Sequence, residues 1–217
     1  MEFCWTFNMT SPAQSFEQLL ADLAHPNPNI RDTACSLMAE YYSEQAMPEL
    51  ISLLHDPDPA IYRTAVKGLG MLGQQSLPGL LDLFKETDNG TVKACCIKAL
   101  VQVSVYFPEL AFPVETIDVL ERALDDPNPV VAQSALMTLG HLSKKDSEKE
   151  CVIPLLIKAC GRGNIAHVQG AAMALAELDS PLVTACLESL ATDETKDSLI
   201  REVAQASLAR RESLNLV

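Results

Sequence analysis

Thiols, imidazoles and carboxylates are the side chains of this chain that could do chemistry, and their spacing limits what they can do. The four histidines stand at 25, 55, 141 and 167. They share no spacing and form no His-Glu-x-x-His pattern, so no zinc protease or hydrolase site is read from them. The carboxylates Asp56, Asp58, Asp88, Asp125 and Asp126 could serve as paired acid and base groups. They recur at equivalent turns, however, which assigns them to helix capping and contacts between repeats. A Gly-rich phosphate loop and a Gly-x-Ser-x-Gly elbow are both absent from the sequence. No catalytic residue and no metal ligand is expected, and the residues themselves imply no cofactor.

The seven cysteines, Cys4, Cys35, Cys95, Cys96, Cys151, Cys160 and Cys186, are the most unusual feature of the composition. An odd number points to reduced thiols rather than a disulfide framework. Adjacent helical residues project about 100° apart, so Cys95 and Cys96 cannot readily share one metal. The spacing of Cys151 and Cys160 puts them on opposite faces of a helix. Cys96 holds a small core position, whereas Cys95, one place earlier, is expected to be the more exposed. A thiol offered to a partner's cluster or to a thiol-bearing substrate stays open for it.

The elements that position these residues come from a repeat. His25-Pro26-Asn27-Pro28-Asn29-Ile30-Arg31 returns as Asp56-Pro57-Asp58-Pro59-Ala60-Ile61, with Pro57 lying 31 positions after Pro26. Asp88-Asn89-Gly90-Thr91-Val92 and Asp126-Pro127-Asn128-Pro129-Val130 follow, and degenerate copies begin near Asn164 and Ser198. Proline lacks an N–H and restricts the residue before it, yet suits a helix's first turn. Each copy therefore ends one helix and starts the next. Apolar residues follow at helical spacing: Ile30, Ala34, Leu37; Ile61, Ala65, Leu69; Val92, Cys96, Leu100; Val131, Ala135, Leu139. A second phrase, around Pro48, Pro78 and Pro154, is expected to begin the other helix of each pair. One pair is too thin to bury its apolar stripe, so the pairs must stack.

The expected fold is all-α, a right-handed solenoid of about six helix pairs spanning residues 11–212. Residues 1–10 match no repeat and read as an extension before Met9, or as an aromatic recognition tail; residues 213–217 read as a frayed tail. No signal peptide and no apolar run long enough for a membrane span is found, which points to the cytoplasm. A net charge of −13 excludes a broad phosphate-binding surface, so nucleic acid is not an expected partner. Tyr106, Phe107, Pro108, Phe112 and Pro113 form an insertion that reads as a docking loop or as a cap filling its own groove. Lys144 to Glu150 reads as a solvated loop, and Gly161-Arg162-Gly163-Asn164 as a looser joint. The last helix, about 199–211, ends on Arg210 and Arg211, favourable at a helix C-terminus.

With these residues in view, the repeats resemble HEAT repeats, and more narrowly the short variety of cyanobacterial phycobiliprotein bilin lyase subunits and phycobilisome degradation proteins. Asp56-Pro57-Asp58-Pro59-Ala60-Ile61, Asp126-Pro127-Asn128-Pro129-Val130-Val131, Leu69-Gly70 and Leu139-Gly140 carry the resemblance, which extends from about residue 15 to 211. The family pattern has a basic residue just after the motif's apolar residue. Arg31, Lys93 and Arg201 fit it, Arg63 is one place late, and Ala132 departs. The resemblance implies a partner protein, either a phycobiliprotein subunit or an assembly or carrier protein such as an iron–sulfur carrier. It implies bilin attachment or detachment as the activity if the protein is an enzyme, and transfers no catalytic residue. In such arrays the second helix of each pair lines the inner surface. The contact residues implied there are Arg31, Arg63, Lys67, Lys93, Gln133, Met137, His141 and Met173, with Cys95 as the available thiol.

Overall fold

In the computed structural model, which describes residues 14–162 and 164–214, the chain winds into twelve α-helices and one short 3₁₀ turn. The odd-numbered helices are α1 (Phe16–Asp22), α3 (Ser43–Leu53), α5 (Leu77–Glu86), α7 (Val114–Leu124), α9 (Lys149–Cys160) and α11 (Pro181–Thr192). They alternate with α2 (Pro28–Tyr41), α4 (Pro59–Leu72), α6 (Gly90–Tyr106), α8 (Pro129–Leu142), α10 (Ile165–Leu175) and α12 (Ser198–Ser213). Six pairs in sequence give the two-layered α-solenoid that the repeat predicts. The expected extension at residues 1–10 lies outside the described residues.

The recurring turn works as a cap. Asn27, Asp58, Asn89, Asn128, Asn164 and Asp197 precede the six even helices, and each side-chain oxygen accepts the N–H of the residue two places on at 2.8 to 3.0 Å. Each such cap contributes about 1 kcal/mol. Seven residues after each cap stands Ala34, Ala65, Cys96, Ala135, Ala171 or Ala204, none more than 1% exposed. Only a small side chain fits there. One apolar core runs unbroken from Leu19 to Ala204.

Successive even helices pack closely on one another, whereas successive odd helices touch sparsely. A stack that is tighter in one layer bends toward that layer, so the even helices line its inner side. The approach of α4 to α6 is close: a Cβ placed on Gly70 would lie 2.2 Å from the Cβ of Gln102.

Several local expectations are corrected by the structure. Pro48 and Pro154 lie inside α3 and α9 rather than at their starts; only Pro78 keeps a first-turn place. Tyr42 alone separates α2 from α3, so the chain re-enters a helix before reaching proline. Glu44 and Glu150, the acceptors four residues back that these prolines leave without a donor, are exposed and open to water. Lys144 to Glu150 is not simply a solvated loop, because the Glu148 carboxylate is buried and accepts the Phe112 N–H at 3.0 Å. Lys145 lies 5.2 Å from the Phe112 ring centroid and donates to the Leu110 carbonyl at 2.8 Å. The aromatic insertion thus fills its own groove. Phe107 also covers Gly73, whose φ of 64° no side chain would tolerate well and where a Cβ would meet the ring at 2.6 Å.

The joint before α10 is tied rather than loose: Arg162 donates to the Leu124 carbonyl and pairs with Asp125. Gly163 lies outside the described residues. Arg211 does not sit free at a helix end. It is buried, donating to the Leu178 carbonyl and to the Thr184 hydroxyl, and α12 continues to Ser213.

Candidate functional site

Counting from each cap sorts the basic residues by what they touch. Those four places after the cap serve the turns. Arg31 donates to the carbonyls of His25 and Pro26 at 2.7 and 3.1 Å. Arg201 does the same to Glu194 and Lys196. Lys93 meets Asp126 of the next turn at 3.0 Å, with 8% of the aspartate side chain exposed. The motif's basic position is thus a staple between turns, and Arg31 and Lys93 are committed to it. Arg63, one place later, is rotated by about 100° onto the exposed face and lies 6.0 Å from the Tyr62 ring centroid.

Nine places after the caps stand Lys67, Lys98, Met137 and Met173, in register on α4, α6, α8 and α10. Lys67 is half-buried and paired with Asp32 of α2 at 2.5 Å. Met137 and Met173 are 64% and 62% exposed, which is unusual for thioethers on a folded surface. Gln133 is exposed one turn before Met137, and half-buried His141 follows one turn after it. Burial, then Lys144 and Lys145, hold the His141 imidazole below its ordinary pKa, so it is neutral near pH 7. Between α10 and α12 lies a hollow of about 320 Å³ lined by Gln169, Met173, Glu177, Val203, Ala206 and Arg210. The structure thus gathers Gln133, Met137, His141 and Met173 at the C-terminal half of the inner face, and Arg63 and Lys67 at the N-terminal half. Lys98 was missed in the sequence, although it follows Lys67 by the 31-residue period.

The thiols behave otherwise than their spacing suggested. Cys95 is 2% exposed, because the α4–α6 contact is tight enough to cover it. It is therefore not the available thiol, and burial raises its pKa against the opposing pull of Lys98 and Arg63. Burial pushes Cys35 and Cys96 up to about 12. The Cys160 thiol on α9 is held protonated by its hydrogen bond with Cys186 of α11 and by burial, a pairing that no spacing rule revealed. Cys151 is exposed. Among the described residues no three His, Cys, Asp or Glu side chains converge as a metal site would require. The exposed groups of the even-helix face are cations, carboxylates such as Glu40 and Glu177, amides, thioethers and one imidazole, a set suited to binding.

Twelve helices paired by one recurring capped turn define a HEAT-repeat solenoid, and the chain belongs to the HEAT repeats family, which it matches over residues 16–101 and 117–209. Over 181 residues it is 59% identical to "Bilin biosynthesis protein CpeZ" of Synechococcus sp. (strain WH8020), covering 83% of this chain and 97% of that protein. It is 33% identical over 199 residues to "Uncharacterized phycocyanin operon protein Z" of Pseudanabaena tenuis (strain PCC 7409), covering 91% and 96%. Among solved structures, the complex of CpcE and CpcF of phycocyanin lyase from Nostoc sp. PCC7120 is similar at 17% identity and a TM-score of 0.34, covering 100% of this chain and 97% of that one. Among the described residues no helix is long and apolar enough to cross a membrane.

Proposed function

We propose that the protein serves bilin attachment to phycobiliproteins as a HEAT-repeat scaffold, holding a phycobiliprotein chain against the inner face of its even helices. The observation that carries this reading is the 59% identity to a bilin biosynthesis protein across 97% of that relative's length. Met137 and Met173 support it physically. They are large, adaptable, exposed apolar side chains in register on neighbouring helices, and beside them lies the α10–α12 hollow. The reading gives the protein no catalytic side chain of its own.

The test is capture of purified phycobiliprotein α and β subunits lacking bilin. The wild-type chain should retain a subunit, and Met137→Glu/Met173→Glu should weaken that retention about tenfold or more with an unchanged thermal midpoint. Failure of the wild-type chain to retain either subunit, with or without added bilin, would overturn the scaffold reading.

A further inference from the structure

The outer layer holds a hollow of about 330 Å³ between α5 and the start of α7. Leu77 and Leu81, both largely buried, form its floor, and the exposed Pro78 and Pro113 stand over them. Gln74, Asp82, Lys85 and Glu115 complete the lining. The space exists because odd helices touch sparsely and because the chain reaches α7 through the inserted stretch 107–113. That stretch is tied down. The Glu148 carboxylate takes the Phe112 N–H and Lys145 donates to the Leu110 carbonyl, so Pro113 is a fixed wall and the hollow is preformed.

Val114, next to Pro113, is 74% exposed. An apolar side chain standing in water beside an apolar hollow costs free energy that a covering surface removes. The charges around it say what kind of surface. Asp82 and Glu86 on α5, and Glu115 and Asp118 on α7, are exposed. Lys85, the cation of α5, lies 3.5 Å from Asp82 and offsets part of that charge, while Arg122 sits in the last turn of α7. Among the described residues Glu86, Glu115 and Asp118 form no ion pair. A second copy of this chain, with its net charge of −13, is repelled from such a face, whereas a basic partner is drawn to it.

We propose that the α5–α7 hollow docks a basic amphipathic helix of a partner protein, with one aliphatic side chain seated between Pro78 and Pro113. A helix laid between two ridges offers its apolar residues as one stripe at i, i+3 or i+4. Lysines or arginines flanking that stripe then meet Asp82 and Glu86 on one ridge and Glu115 and Asp118 on the other. The apolar anchor supplies affinity, and the carboxylates select the partner. This site belongs to the outer layer, away from Met137 and Met173 on the even helices, so a chain on the inner face leaves it free. It stands whether or not the bilin reading does.

The test titrates full-length protein, by fluorescence anisotropy, with two labelled amphipathic peptides that share one helical stripe of leucines. Lysines flank the stripe in one and glutamates in the other. Wild-type protein should bind the lysine peptide about tenfold or more tightly than the glutamate peptide. Gln74→Trp, which fills the hollow from an exposed position, should weaken the lysine peptide about tenfold with an unchanged thermal midpoint. Glu115→Gln/Asp118→Asn should lose most of the preference between the peptides. Glu49→Gln/Glu188→Gln removes the same charge from α3 and α11 and should behave as wild type. Equal binding of the two peptides, no binding of the lysine peptide, or unchanged binding in Gln74→Trp each overturns the proposal. An equal loss in Glu49→Gln/Glu188→Gln also overturns it, since the attraction is then diffuse. So does a wild-type dimer in sedimentation that Gln74→Trp dissociates, because a second copy then fills the hollow.

Discussion

Moving a basic side chain one place along a helix turns it by about 100°, and Arg63 shows the consequence. Its counterparts Arg31, Lys93 and Arg201 are spent on turns, while Arg63 reaches the inner face. Burial separates the thiols as sharply. Below pH ~9 the thiols of Cys35 and Cys96 are protonated in both folded and unfolded chains. From there up to about 12, the pKa to which burial pushes both, the unfolded chain releases protons that the folded chain keeps, so stability falls as pH rises. Each thiol contributes up to about 1.4 kcal/mol of that loss per pH unit. Urea unfolding at pH 8.5 and 10.5 should therefore show a steeper loss for wild type than for Cys35→Ala/Cys96→Ala. Equal losses would mean that these thiols reach water.

At the scale of elements, the six Asn and Asp caps and the small residue seven places on fix where each even helix starts and how near its neighbour lies. Gly70 is such a close approach, facing Gln102 across the α4–α6 contact. Gly70→Ala should destabilise the protein by roughly 1–3 kcal/mol through overpacking, despite alanine's better helix propensity. A stabilised variant in thermal unfolding would show that the two helices can part without cost. The caps and the small positions were legible in the sequence because both are local and repeated. The start of α9 was not: Lys149 opens that helix ahead of Pro154, and the buried Glu148 before it takes its hydrogen bond from Phe112, 36 residues away.

For the whole molecule, stability is shared among neighbouring pairs rather than held by one centre. Contacts between even helices are densest from α4 through α8, and thinner at α8–α10 and α10–α12. Amide hydrogen exchange should accordingly be slowest in α4, α6 and α8 and fastest in α1, which is short and packs on α2 alone among the even helices. Uniform protection along the chain would mean that the stack opens as a single unit. The same arrangement divides the inner face, with free cations toward the N-terminal half and methionines toward the C-terminal half.

The sequence by itself determined the helix pairs, their caps and the solenoid, because a hydrogen-bonded cap or an apolar stripe depends on residues within a few turns of one another. It also placed Arg63, Met137, His141 and Met173 on the even helices. Only the tertiary structure decided which of those side chains are free to bind. Arg31 and Lys93 are taken by turn carbonyls and by Asp126, Cys95 is covered by the α4–α6 contact, and Arg211 is drawn under α11. Arg63 and Lys98 are left exposed on neighbouring even helices. Whether a cation keeps its charge available depends on what other segments bring to it, and that is a property of packing rather than of spacing.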